Sequence, residues 1–380
     1  MKRFTMNLEN KAPASDSSLR ALAIYLPQFH PIPENDAWWG KGFTEWTNVT
    51  KARPRFPGHY QPQLPADLGF YDLRLAETRE QQASMAREYG IHGFVYYHYW
   101  FNGRRILERP FEEVLKSGQP DFPFCLCWAN ENWSRRWDGQ ELDVLLRQTY
   151  SEDDDLNHIR YLAPMFADPR YIRVDGKPVF IVYRMDLFPN IKRTTDIWRN
   201  EAHRLGIGDL YLIQVDRVGH DGDLTATGFD AAMEFHPDYH HLPMRYVGKY
   251  KDRFFNKTGL YKPPYYKDNI YEYEKYIQNA MSKAQSKYKL FPGVTPDWDN
   301  SARRKQDATI FLGSTPELYE NWLRDVVKKF KPYSKEENFI FINAWNEWAE
   351  GNHLEPCQKW GRQYLEATLN ALNNGKSQDI

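Results

Sequence analysis

Several common signals are scarce in this 380-residue chain. Cysteine occurs three times, at Cys125, Cys127 and Cys357. The first two lie two apart in an apolar run, so on a strand they point the same way, and Cys-x-Cys is not a metal-finger spacing. Buried free thiols in a reducing compartment are the expectation. A charge excess of either sign is missing as well: Lys+Arg 50 against Asp+Glu 51 leaves a net charge of -1, which gives a nucleic-acid partner no electrostatic support. No apolar run approaches the length that spans a bilayer, and the N-terminal stretch lacks the apolar core of a signal peptide. A cytoplasmic protein without a membrane span is expected. Strand one carries no Gly-rich phosphate fingerprint, which argues against an open nucleotide-binding sheet.

Aromatic residues are abundant, at 16% with 13 Trp and 25 Tyr. Tyr and Trp combine an apolar face with a polar tip, which suits partly wet binding surfaces as well as cores. Residues 1–19 are polar and read as a loosely ordered tail, and 20–375 as one folded unit. Within it, eight strand-like runs alternate with helical segments. The runs are 22–25, 93–100, 123–128, 178–183, 210–215, 229–235, 290–295 and 339–342. Helices are expected at 72–89, 111–116, 152–167, 194–205, 271–287, 315–330 and 361–372. A long stretch from Pro27 to about Pro65, with Trp38, Trp39 and Trp46, reads as a large packed loop. Eight such alternations in one chain predict parallel strands closed into a (β/α)8 TIM barrel, an α/β single domain with long βα loops.

Chemistry in a barrel sits where strands end. The strand ends carry Tyr25; His98 and Trp100; Trp128, Asn130, Glu131 and Trp133; Asp216; Glu234 and His236; Trp298, Asp299 and Arg303; and Trp345, Asn346, Glu347, Trp348 and Glu350. Arg184 and Asp186 follow strand four. The eighth end, Trp345-Asn346-Glu347-Trp348-Ala349-Glu350-Gly351, holds two carboxylates three residues apart between two indoles. Glycoside cleavage needs a proton donor at the leaving oxygen and a second carboxylate at the oxocarbenium-like centre, with aromatic faces beside the sugar. Glu347 and Glu350 are therefore the expected catalytic pair, and the other strand-end positions, from Tyr25 to Trp348, the expected substrate-binding groups. Asp297-x-Asp299 is a weak metal signal, and no metal or cofactor is expected.

Three segments carry a resemblance: W-A-N-E-N-W-S-R-R-W-D-G (128–139), P-G-V-T-P-D-W-D-N-S-A-R-R (292–304) and F-I-N-A-W-N-E-W-A-E-G-N-H-L-E-P (341–356). They resemble the WbsX-like proteins, named as glycosyltransferases of surface polysaccharide synthesis. The strand-eight segment is also similar to that of glycoside hydrolase family 99, the endo-α-mannosidases, whose fold is a (β/α)8 barrel. That resemblance implies that Glu347 deprotonates the substrate's 2-hydroxyl, whose oxygen attacks C1. It implies that Glu350 protonates the leaving group and then activates the incoming hydroxyl, with retention of configuration and without a metal. The expected activity is a retaining glycosidase or transglycosylase on an α-linked, mannose-type oligosaccharide or polysaccharide. Two alternatives stay open: a nucleotide-sugar glycosyltransferase, and a non-catalytic carbohydrate-binding barrel.

Overall fold

The computed structural model describes residues 19–135, 140–216, 224–259 and 263–374. Its centre is a nearly closed ring of nine parallel strand segments. In chain order they are β1 Arg20–Tyr25, β2 Ile91–His98, β3 Phe124–Trp128, β4 Lys177–Val182, β5 Tyr211–Asp216, β6 Ala231–Glu234, β7 in two pieces (Leu290–Phe291 and Gly293–Val294), and β8 Phe339–Ile342. Each strand pairs with its predecessor, and β8 returns to β1 with Ala23 opposite Ile342. Runs such as Val179–Val182 and Phe339–Ile342 are buried throughout, because a parallel sheet under helices is covered on both faces.

The ring closes at β7. Leu290–Phe291 pairs with β6 and Gly293–Val294 with β8. Pro292 lies between the halves and has no N–H for a ladder, but its carbonyl accepts the Phe341 N–H at 2.9 Å. A side chain at Gly293 would collide with the Glu234 carbonyl oxygen, so glycine permits the two strands to meet here.

Two helices begin at the caps their sequences offer. Ser151 accepts the Asp154 N–H to start the helix Glu152–Phe166, whose first turn carries four acids, and Thr315 accepts the Leu318 N–H ahead of Pro316–Lys329. Several expectations need correction. The segment expected as helix from 271 is strand over Asn269–Glu272, paired with Thr309–Leu312, and only Tyr273–Met281 is helical. The loop after β1 contains two short helices, Pro33–Trp39 and Glu45–Lys51. Strand β2 stops at His98, and Trp100–Phe101 starts a separate hairpin with Arg104–Arg105. Between β5 and β6 the described residues hold only the 3-10 turn Leu224–Thr227. The expected tail lies, apart from Leu19, outside the described residues. Among the described residues, no helix is long and apolar enough to cross a membrane.

Candidate active site

A cavity of about 860 Å³ opens at the C-terminal ends of the strands. That size lies in the range of ligand sites, and its wall takes residues from most of the βα loops, as a barrel of this kind allows. Arg303 stands in it. Its Nη2 lies 3.0 Å from Glu45 Oε2 and 3.0 Å from Glu347 Oε2, and its Nη1 lies 2.7 Å from Glu350 Oε1. One guanidinium thus gathers three carboxylates.

Each member is held by its own local structure. Glu347 ends the short strand Asn346–Glu347, paired antiparallel with Asn352–His353. The connection is the 3-10 turn Trp348–Glu350 followed by Gly351 at φ 61°. A Cβ on Gly351 would sit 2.8 Å from Gln63 Nε2 and 2.9 Å from Asp299 Cβ, so backbone sign and space both require glycine. The Asn346 side chain clamps the end of β1: its Oδ1 accepts the Leu26 N–H at 2.7 Å and its Nδ2 donates to the Leu26 carbonyl at 3.1 Å. Arg303 follows the turn Asn300–Ala302, capped by Asp299, whose Oδ1 accepts the Ser301 N–H. The Asp299 N–H donates in turn to the Glu350 carbonyl at 2.6 Å, which ties the strand-seven and strand-eight loops together. Glu45 opens the helix Glu45–Lys51 and donates its N–H to the Gln28 carbonyl.

Burial sorts the three acids. The Glu45 side chain is 0% exposed, that of Glu347 is 7% and that of Glu350 is 21%, so Glu350 is the one most open to the cavity. Burial pushes the Glu347 carboxyl up to about 8; Arg303 opposes that rise, and the charges of Glu350 and Glu45 add to it. Burial raises Glu45 also, against the pull of Arg303. For Arg303, desolvation works against the charge, but Glu45, Glu350 and Glu347 outweigh it and keep the guanidinium charged.

Of the residues expected from sequence, the structure brings Glu131, Trp133, Asp216, Trp298, Arg303, Glu347 and Glu350 to the cavity wall. It places the rest elsewhere. Tyr25 points outward and donates to Gln82 Oε1 at 2.7 Å. His98 turns to His158 on the helix Glu152–Phe166, with their Nε2 atoms 2.8 Å apart. The Trp100 indole donates to Asp154, and the Trp128 indole to the Trp100 carbonyl. Asn130 braces the Arg184 backbone through both its amide atoms. Glu234 binds Lys283 and the Gly293 N–H, and His236 meets the Tyr276 hydroxyl. Asp299 Oδ2 lies 2.7 Å from His59 Nε2 and accepts from Gln61 Nε2 at 2.6 Å, while Asp297 Oδ1 accepts the Trp298 N–H at 2.8 Å, so both acids of Asp297-x-Asp299 are engaged by protein partners. Trp345 is fully buried, and Asn346 and Trp348 support the turn from beneath. Among the described residues, no group of three or more His, Cys, Asp or Glu is placed to hold a metal ion.

Sequence reasoning missed Glu45, which opens a short helix well beyond the end of β1 in the chain, and the cavity residues Tyr97, Tyr183, Phe235 and Tyr271. Strand parity could have found some of them. Successive side chains on a strand face opposite ways, so when His98 faces a helix, Tyr97 and Tyr99 face the cavity.

Fold and cavity together define a (β/α)8 barrel whose strand ends open on an acid-lined cleft. Residues 21–368 match the family described as Glycosyltransferase WbsX, and the chain belongs to that family. The WxcX proteins of two strains of Xanthomonas campestris pv. campestris, B100 and ATCC 33913, are each 44% identical over 352 residues, which is 92% of this chain and 49% of theirs. The chain thus spans about half the length of the curated relatives it matches. Among solved structures, the GH99 endo-alpha-mannosidase of Bacteroides thetaiotaomicron bound to BIS-TRIS-propane superposes with a TM-score of 0.57 at 14% identity, over 94% of this chain and 97% of that one. A glycoside hydrolase-like protein superposes at 0.56 with 12% identity, over 96% of each chain. These likenesses establish the shared barrel fold.

Proposed function

We propose that the protein is a retaining glycoside hydrolase, or a transglycosylase of the same chemistry, acting on an α-linked, mannose-type glycan. The observation that carries this reading is the pair Glu347 and Glu350 on the two terminal nitrogens of Arg303, at the wall of a cavity roomy enough for several sugar rings. Glu347, ionised, takes the proton of the substrate's 2-hydroxyl while O2 attacks C1 and the C1–O bond to the leaving group breaks. Glu350 gives its proton to the departing oxygen. A 1,2-anhydro sugar results. Glu350, now a carboxylate, takes the proton of an incoming hydroxyl as that oxygen attacks C1 and opens the three-membered ring; O2 recovers its proton from Glu347. Two inversions at C1 give retention.

Burial that pushes Glu347 up to about 8 makes its ionised form a stronger base for a sugar hydroxyl; that form is the minor one at neutral pH, so turnover by this route should rise as pH approaches 8. The greater exposure of Glu350 suits contact with a leaving group that must depart and be replaced. The partner is thus an oligosaccharide or polysaccharide. The family description favours transfer, and transfer fits this scheme if the incoming hydroxyl belongs to a sugar and not to water. A nucleoside diphosphate donor fits less well, because the wall carries Glu131, Asp216, Asp238, Asp307, Glu347 and Glu350 against Arg184, Arg303 and Arg304. Arg184 is itself paired with Glu131 and Asp186.

The test is to incubate the protein with α-linked mannose oligosaccharides and, separately, with nucleotide sugars, and to follow the anomeric configuration of the first product by NMR. Retained product that disappears in Glu347→Gln and Glu350→Gln is expected. Inverted product, or turnover that survives both substitutions, would overturn the scheme. Turnover of a nucleotide sugar alone would replace hydrolysis by transfer from an activated donor.

A further inference from the structure

Glu355 is a buried carboxyl, 2% exposed, that the chemistry above does not use. Its Oε2 accepts from the Trp348 indole at 2.6 Å and from the Tyr71 hydroxyl at 2.7 Å, and its Oε1 accepts from Gln82 Nε2 at 2.6 Å. The web continues outward. Tyr25 donates to Gln82, and Asn346 Nδ2 donates to the Tyr71 hydroxyl at 3.4 Å. One carboxyl therefore joins the strand-eight loop to the helix Ala76–Glu88 and to the loop after β1. These three donors are neutral, and burial pushes the Glu355 carboxyl up to about 7.

Trp348 is where this web meets the reacting groups. It follows Glu347 in the chain and opens the turn that ends in Glu350. Its ring stacks on His353, with centroids 3.7 Å apart and planes 16° from parallel, and its centroid lies 5.5 Å from that of Trp46, the neighbour of Glu45. Turning the indole would shift the backbone between two of the carboxylates and push on the helix that carries the third. We infer that Glu355 is a positioning residue, which acts through the Trp348 indole to set where Glu347 and Glu350 stand against Arg303. The inference rests on the reading of those two glutamates as base and acid.

The test compares Glu355→Gln, Trp348→Phe and the double variant, each in the full chain. On an α-linked mannose oligosaccharide, Glu355→Gln should lower kcat by about 10- to 100-fold with little change in KM, because displacements of about 1 Å or less are costly at a reacting centre. It should also move the limb of the pH profile that Glu347 sets. If Glu355 acts through Trp348, the double variant should be no slower than the slower single variant. Unchanged kcat per folded molecule with a lower Tm, or losses that multiply, would overturn the inference. A readout without substrate separates its failure from that of the proposed reaction. The pH dependence of Tm that Glu347 contributes, taken as wild type minus Glu347→Gln, should shift its midpoint when Glu355 is replaced by Gln, even if no glycan is cleaved; an unmoved midpoint would sink it. Should Glu355→Gln not fold, Glu355→Asp keeps the carboxyl and shortens the reach, and the same two readouts apply.

Discussion

Two regions of this barrel use nearly the same residues for different ends. At the ends of β2 and β3, His98, Trp100 and Trp128 join Asp154 and His158; at the end of β8, His353, Trp345 and Trp348 join Glu347, Glu350 and Glu355. In the first region the rings face the helices. Trp100 stacks on His158 at 4.8 Å, Trp128 packs edge-on to the same ring, and burial holds His98 down to about 3 and His158 well below its ordinary value. In the second region the turn between two short strands swings Glu347 and Glu350 onto an arginine inside a cavity. Residue type is shared, and the direction of the side chain separates them. A histidine or indole at a strand end is thus a weak sign of substrate contact until its parity is known.

Substitutions can break or sharpen this contrast. The largest effect is expected for Glu350→Gln and Glu347→Gln, which should lower kcat by about 10²- to 10⁴-fold, the usual worth of a positioned proton-transfer group. His98→Gln, which touches no reacting group, should leave kcat per folded molecule within about a factor of two, as steady-state kinetics would read. Next comes stability. Trp128→Ala should cost about 3–5 kcal/mol in urea unfolding, since it empties a packed ring space, while KM stays put. Arg303→Met should cost a similar amount, about 3 kcal/mol, by stranding buried carboxylates; acidification should restore part of it, whereas Trp128→Ala should show no such recovery.

The pH dependence divides the regions further. Desolvation raises several buried carboxyls, among them Glu347 to about 8, and Glu355, Asp297 and Asp155 to about 7. The sign follows from the neutral form being the one the fold prefers. Unfolded, these groups release their protons near pH 4, so their contribution to stability is complete below that value and is lost as pH rises through about 7 to 8. Their contribution to Tm should therefore fall between about pH 5 and pH 8, opposed below about pH 6.5 by buried histidines held neutral, His98 and His158 among them, and Glu347→Gln should flatten the upper end of that fall. Substituting Asp155 on the helix side should flatten only the lower end. The smallest effect belongs to the cavity wall: Tyr97→Phe should raise KM a few-fold with kcat nearly intact, and an unchanged KM would place that hydroxyl outside substrate contact.

Much of the fold was legible in the chain. Parallel strands buried on both faces appear as short, continuous apolar runs, and caps such as Ser151 and Thr315 mark helix starts, so the count and order of elements could be read. That Glu347 and Glu350 share one place was legible too, because they lie three residues apart in one turn. Arg303 was named among the candidates, but not as their shared partner. Segments with weaker local signals went astray, as when Asn269–Glu272 became a strand through pairing with the distant Thr309–Leu312.

Local sequence determined which residues form strands, where helices begin, and that two acids occupy the turn after β8, because these follow from short-range sterics, hydrogen bonding and apolar periodicity. Only the tertiary structure decided which strand-end side chains enter the cavity, that Glu45 reaches Arg303 from 258 residues away in the chain, and that Glu355 lies beneath Trp348. Those outcomes depend on the register and parity of strands around a closed ring and on how long loops fold back across it. They are fixed by contacts between distant segments, which no short stretch of sequence encodes by itself.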